Sequence, residues 1–192
     1  VFLRYIGGMS SESHASRLRY SSPGLSRELL SREILAQRGS VPDGYRLADR
    51  EVFLGVGRGL FERAGEGVMN WRLQSGSGMR VDADGPAERG RIVRGRVGLG
   101  PGLLGLDIPC QVVWAERSEK LIGFGYGTLP GHPVHGEEAF VVEIDDEDRV
   151  TLRILAFSTP AFGILRAFPP ASRLMQRIAT EGYLRAGRKL RG

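Results

Sequence analysis

Two-residue alternation dominates the second half of the chain. Val93, Val97 and Leu99 alternate with Arg94 and Arg96, and Cys110, Val112 and Trp114 alternate with Gln111, Val113 and Ala115. Each run reads as a half-buried strand, with Cys110, Val112 and Trp114 on one face. Arg117-Ser118-Glu119-Lys120 predicts a hairpin turn into a strand over residues 121–129. Asp145-Asp146-Glu147-Asp148 predicts another turn, between a strand carrying Phe140, Val142 and Ile144 and one carrying Val150, Leu152 and Ile154. Successive hairpins imply an antiparallel sheet.

Helical spacing occupies the flanks. Residues 25–38 predict a short helix with Leu29, Leu30, Ile34 and Leu35 on one side, ended by Gly39 and Pro42. A strand-like run over residues 45–54 then leads into Leu60, Phe61, Ala64, Val68 and Trp71 at helical period. After Pro169-Pro170, a broad apolar face formed by Leu174, Met175, Ile178, Ala179, Gly182, Tyr183 and Ala186 predicts a long closing helix. The order is strand, helix, a meander of five or six strands, and helix. It predicts an α+β helix-grip fold, in which a curved antiparallel sheet wraps a long C-terminal helix, because the sheet must bury one face and that helix is available to cover it. A closed lipocalin-like barrel is the alternative, and the early helix argues against it. Residues 1–43 are expected to be an N-terminal appendage and residues 44–192 a single domain.

Composition changes this picture little. The chain has 192 residues, 41% of them hydrophobic and 26% charged, with no apolar run approaching the roughly 20 residues of a membrane helix. The start lacks the basic flank and apolar stretch of a signal peptide, and the lone Cys110 closes no intrachain disulfide. A reducing cytoplasm is therefore expected. The net charge of +5 first suggests nucleic acid, yet its excess sits in residues 162–192, where seven basic residues face Glu181 alone. Arg173, Arg177, Glu181, Arg185 and Lys189 recur every fourth residue, as expected for the solvated side of the closing helix. Nucleic-acid binding is not expected, because few aromatic residues interleave with these charges to stack on bases.

Candidate chemistry clusters in one segment. Ile122, Phe124, Tyr126 and Thr128 point to one face of a strand, while Gly123, Gly125 and Gly127 leave the other bare for sharp bending, close packing or ligand access. His132, His135, Glu137 and Glu138 lie just beyond. Imidazoles and carboxylates suit a divalent metal, but Pro133 restricts the loop and a solvated loop is expected, with no metal or other cofactor. His132 with Glu137 or Glu138 also suits acid-base work beside a cavity, with Tyr126 as hydrogen-bond donor. Glu138 shares a face with Phe140 and is expected to point inward, where it needs a partner or a proton. Cys110 reads as a small buried apolar residue.

The run Phe124-Gly-Tyr-Gly-Thr-Leu-Pro-Gly-His-Pro-Val-His-Gly-Glu-Glu-Ala-Phe140 resembles the signature of a bacterial and plant family, the domain of unknown function called nineteen-ninety. Trp71, Asp84-Gly85-Pro86 with Glu88 and Gly90, Pro109-Cys110, Ala156-Phe157-Ser158 with Pro160, and residues 176–184 agree with it in order, from about Gly44 onward. His132, Glu137 and Glu138 lie inside the signature, and His135 lies at a variable place in it. The resemblance assigns no activity. Its element order is similar to that of the START and Bet v 1 cavity proteins, which implies a space between sheet and final helix. The resulting expectation is a bacterial, cytoplasmic, non-catalytic domain binding a small hydrophobic or amphipathic molecule. Tyr126, Thr128, His132 and Glu138 would supply polar contacts, and Trp71, Trp114 and Phe157 an apolar wall. An enzyme using His132 and Glu138 as acid-base groups, and an adaptor working through the arginine helix, are the alternatives.

Overall fold

The alternating runs become a six-strand antiparallel meander, to which the early strand adds a seventh. The structure is a computed structural model and describes residues 18–36, 40–98, 105–161 and 181–191. Two single-turn helices, α1 (Leu25–Glu28) and α2 (Arg32–Leu35), precede β1 (Arg46–Val56), α3 (Arg58–Met69) and α4 (Arg72–Gly76). The strands β2 (Arg80–Ala83), β3 (Ile92–Val97), β4 (Leu106–Arg117), β5 (Leu121–Thr128), β6 (Val134–Ile144) and β7 (Arg149–Pro160) come next. Residues 181–188 are helical and pass into a 3-10 turn, Lys189–Arg191. The predicted β6–β7 hairpin forms around Asp145, whose Oδ1 accepts hydrogen bonds from the Glu147 and Arg149 amides. This is the local competition with regular structure that makes aspartate a turn residue.

The strand order is β1-β7-β6-β5-β4-β3-β2, antiparallel throughout. β1 pairs with β7 and leaves β2 at the opposite edge, so the sheet is open and the closed-barrel alternative is not realised. The expected helix over residues 25–38 is instead two short turns. The chain breaks between them at Leu29–Ser31, and residues 37–39 lie outside the described residues. Leu99 and the first part of the expected closing helix, including Arg173, Arg177 and the apolar residues from Leu174 to Ala179, also lie outside them.

Both faces of the sheet are covered. On the inner face, α3 lies over β5 and β6, and Phe61, Val68, Phe124, Phe140, Leu152 and Ile154 form one core with Tyr183, Leu184 and Ala186 of the C-terminal segment. On the outer face, Leu29 and Leu30 pack with Ala139, Val141, Leu155 and Phe157, joined by Tyr20 and Trp114. Residues 20–35 thus supply cover that a two-sided apolar sheet requires.

Trp114 departs from the expected alternation. The β4–β5 register slips between Val112 and Trp114, so Val112 faces the inner core while Trp114 turns outward opposite Gly125. A bulge inserts one extra residue, and the period of two then turns the residues beyond it to the other face. The glycines of β5 explain what the outward indole needs. A Cβ on Gly125 would overlap Trp114 Nε1, and one on Gly127 would overlap the Tyr20 hydroxyl. Close packing by the N-terminal segment is therefore the use of the bare glycine face.

Candidate functional site

Pairing of β5 with β6 sets Tyr126 opposite Glu138 and Phe124 opposite Phe140 on the inner face. The Tyr126 hydroxyl donates to Glu138 Oε2 at 3.1 Å. Tyr183, from residues 181–188, brings its ring edge-on to Phe140 at 5.1 Å and sets its hydroxyl near Tyr126 and Glu138. Phe124, Tyr126 and Phe140 form a mutual ring cluster with centroids 5.4–5.9 Å apart. Cys110 flanks this group from β4, opposite Thr128. Its thiol is pushed well up, chiefly by burial and further by Glu138, and stays protonated.

Glu138 is the unusual member. Burial pushes its carboxyl up from 4.5 to about 7, and the Tyr126 hydrogen bond only partly offsets this. Among the described residues its Oε1 has no hydrogen-bond partner. Among the described residues the carboxyl is thus held by one oxygen and the other is left without a partner. No described Lys, Arg or His pairs with it.

This carboxyl has a signed consequence for stability. Between about pH 4.5 and 7 the native state holds a proton that the unfolded chain releases, so the contribution of Glu138 is whole at low pH and is lost as pH rises through about 7. His132 has the opposite sign, because burial lowers it from 6.5 to about 4 and its contribution is lost as pH falls. The two oppose each other below about pH 6.5, and above it Glu138 acts alone. Glu138→Gln is expected to be more stable than the parent at pH 8, by up to roughly 3 kcal/mol, with the gap closing toward pH 4.5. Urea unfolding at the two pH values measures this, and parallel losses or gains at both would refute it.

The other expected site residues separate. Thr128 Oγ1 accepts from the Gly136 amide at 3.1 Å, a bond within the sheet. His132 lies in the β5–β6 loop, 9% exposed, with Nδ1 engaged by Val134 at 3.0–3.1 Å. It is held neutral and has no hydrogen bond or ion pair to Glu138. Trp71 does line the inner face, 4.8 Å from Phe124 by ring centroid, with Nε1 donating to the Gly85 carbonyl at 2.9 Å. Its left-handed backbone, φ 61°, makes the corner between α3 and α4. Trp114 and Phe157 lie on the outer face, so the three rings do not make one wall. Glu137 also faces outward, where it accepts from the Tyr20 hydroxyl at 2.8 Å and from the amides of Gly24 and Ser26. Among the described residues, no three His, Cys, Asp or Glu side chains gather as a metal site. Tyr183 is the member that sequence reading did not single out. Its signal was a lone hydroxyl on an otherwise apolar helical face, where a buried phenol needs a partner.

A family model described as Domain of unknown function (DUF1990) matches residues 31–186. The chain belongs to that family. The DUF1990 match begins within the N-terminal segment, ahead of Gly44. A UPF0548 protein of Arabidopsis thaliana is 32% identical over 125 residues, 62% of this chain and 60% of its own length. A UPF0548 protein of Deinococcus radiodurans is 31% identical over 161 residues, covering 77% of this chain and 79% of its own. One relative is a plant protein and the other bacterial, as the resemblance to a bacterial and plant family implies.

Among solved structures, a hypothetical protein of Helicobacter pylori superposes with a TM-score of 0.57 at 11% identity, covering 81% of this chain and 94% of its own. Norcoclaurine synthase of Thalictrum flavum, in complex with dopamine and hydroxybenzaldehyde, does so with a TM-score of 0.53 at 11% identity, covering 99% and 96%. These likenesses show the fold, an α+β arrangement of the Bet v 1 kind with a curved seven-stranded antiparallel sheet. Among the described residues, no helix is long and apolar enough to cross a membrane.

Proposed function

We propose that this DUF1990 domain binds a small amphipathic molecule on the inner face of its sheet, with the polar end of the ligand at Glu138, Tyr126 and Tyr183. The second oxygen of Glu138, which has neither a hydrogen-bond partner nor a cation among the described residues and sits amid aromatic rings, carries this reading. A desolvated carboxyl held by a single neutral donor costs stability, and a site for a ligand is where such a cost is retained. The cavity-forming habit of the fold supports the reading by analogy.

Titration with N-phenyl-1-naphthylamine, a probe that fluoresces in apolar surroundings, tests it. Saturable one-to-one binding that weakens severalfold in Tyr126→Phe is the expected result. Fluorescence that rises without saturation, or is indifferent to Tyr126, would count against it. Mass spectrometry of an organic extract of the natively purified protein then identifies a retained ligand.

One observation favours catalysis as a second reading. A carboxyl near 7 is matched to proton transfer at neutral pH. In that case Glu138 acts with Tyr126 and Tyr183 rather than with His132, which stands apart from it. For the adaptor alternative, the described Arg185, Arg188 and Lys189 are exposed, as a solvated helix face would be.

A further inference from the structure

Resting on the ligand-binding reading above, we infer that the molecule taken by this site carries a protonated amine, seated on Oε1 of Glu138, which lacks a partner among the described residues, and that the site rejects carboxylate-bearing amphiphiles of the same shape. The chemistry of the wall carries the inference. From β6 the site receives Glu138, from β5 Tyr126, from β4 Cys110, and from the C-terminal segment Tyr183. The phenols and the thiol are all pushed upward and stay neutral, so Glu138 supplies the one formal charge among these groups, and that charge is negative.

An anionic headgroup placed there meets like charge with no described guanidinium or ammonium to offset it. A neutral hydroxyl gains a hydrogen bond and leaves the charge uncompensated. An ammonium supplies donors to the second oxygen, neutralises the buried carboxylate and enters a surround of aromatic rings, Tyr126, Phe140 and Tyr183, of the kind that attracts cations.

Three probes of matched length, 4-phenylbutylamine, 4-phenylbutanol and 4-phenylbutyrate, are titrated into the full chain at pH 8 and followed by protein amide NMR shifts. The amine stays protonated there, since an alkylamine titrates near 10, as lysine does. The expected result is an amine at least tenfold tighter than the alcohol, with the carboxylate weakest, and a preference that falls below about threefold in Glu138→Gln. An amine no tighter than the alcohol, or a carboxylate that binds best, overturns the amine inference and leaves the ligand reading standing. Saturable binding of none of the three overturns both.

A second measurement needs no variant. In the parent protein the amine preference is expected to shrink between pH 8 and pH 5.5, as Glu138 takes up its proton while Tyr126, Tyr183 and Cys110 keep theirs. A preference that is the same at both values overturns the inference.

Discussion

Replacing Arg153 by alanine is expected to cost roughly 3–5 kcal/mol, the loss typical of stripping one partner from a buried ionic group. Arg153 is 1% exposed and projects from β7 to the outer face. Its Nε and NH2 donate to the two carboxylate oxygens of Asp49, each at 2.9 Å, and its NH1 donates to the Leu30 carbonyl at 2.8 Å. Glu51 at 3.5 Å and Glu143 at 4.0 Å complete the surround. Without the guanidinium, three carboxylates on β1 and β6 face one another. Glu143, already raised by burial and held down by Arg153, would rise further. The Leu30 carbonyl would also lose its donor, so the stretch joining α1 to α2 should exchange its amide hydrogens faster along with β1. Arg153→Lys should recover only part of the loss, because an ammonium cannot reproduce the two-point fork to Asp49. Guanidinium unfolding measures the stability. A change below about 1 kcal/mol would mean that the network contributes no more than a surface ion pair.

Arg153 also shows where sequence reading stops. Between Leu152 and Ile154 a charged residue in an alternating strand reads as solvent-facing, and its partners Asp49 and Glu51 lie about a hundred residues earlier. The alternation itself was informative, because period two is imposed by the pleat. Phe124 and Tyr126 were therefore assigned to one face of their strand and Glu138 and Phe140 to one face of the next, and the structure brings both pairs to the inner face. Trp114 was not legible, because a bulge leaves no mark in the alternation it interrupts. The glycines of β5 announced a close approach without naming what approaches. Tyr20 and Ser26 sit in a serine-rich stretch with no periodicity, so their place over Gly125 and Gly127 is a tertiary fact alone. The family motif beside Trp71 is explained after the event: the Gly85 carbonyl receives the indole N–H, and the Ala87 amide bonds back to Met69.

The adjacent carboxylates of β6 give the second large expectation, which separates fold from function. Glu137→Ala removes an acceptor, 2% exposed, that serves the Tyr20 hydroxyl and the Gly24 and Ser26 amides. Each bond to a charged acceptor contributes roughly 1.5–3 kcal/mol, and an orphaned buried donor costs comparably. A sum over three bonds would exceed the true loss, because the segment can lift from the sheet and let water satisfy its amides. The cost is then capped by what docking of residues 20–36 contributes, and roughly 3–4 kcal/mol is expected. Hydrogen exchange should rise first in that segment, with Trp114 fluorescence reporting the loss of its Ser26 partner, 2.8 Å away. The pH dependence should keep the shape found in the parent, since Glu138 faces the opposite side and retains Tyr126. Glu138→Gln should do the reverse, altering the pH profile and leaving the N-terminal segment protected. If Glu137→Ala instead flattened the profile near pH 7, the titrating carboxyl would be on the wrong face and the inner-face site would lose its basis. A one-residue slip of β6 would exchange the two carboxylates between the outer clamp and the inner face, so the register that docks the N-terminal segment also aims Glu138.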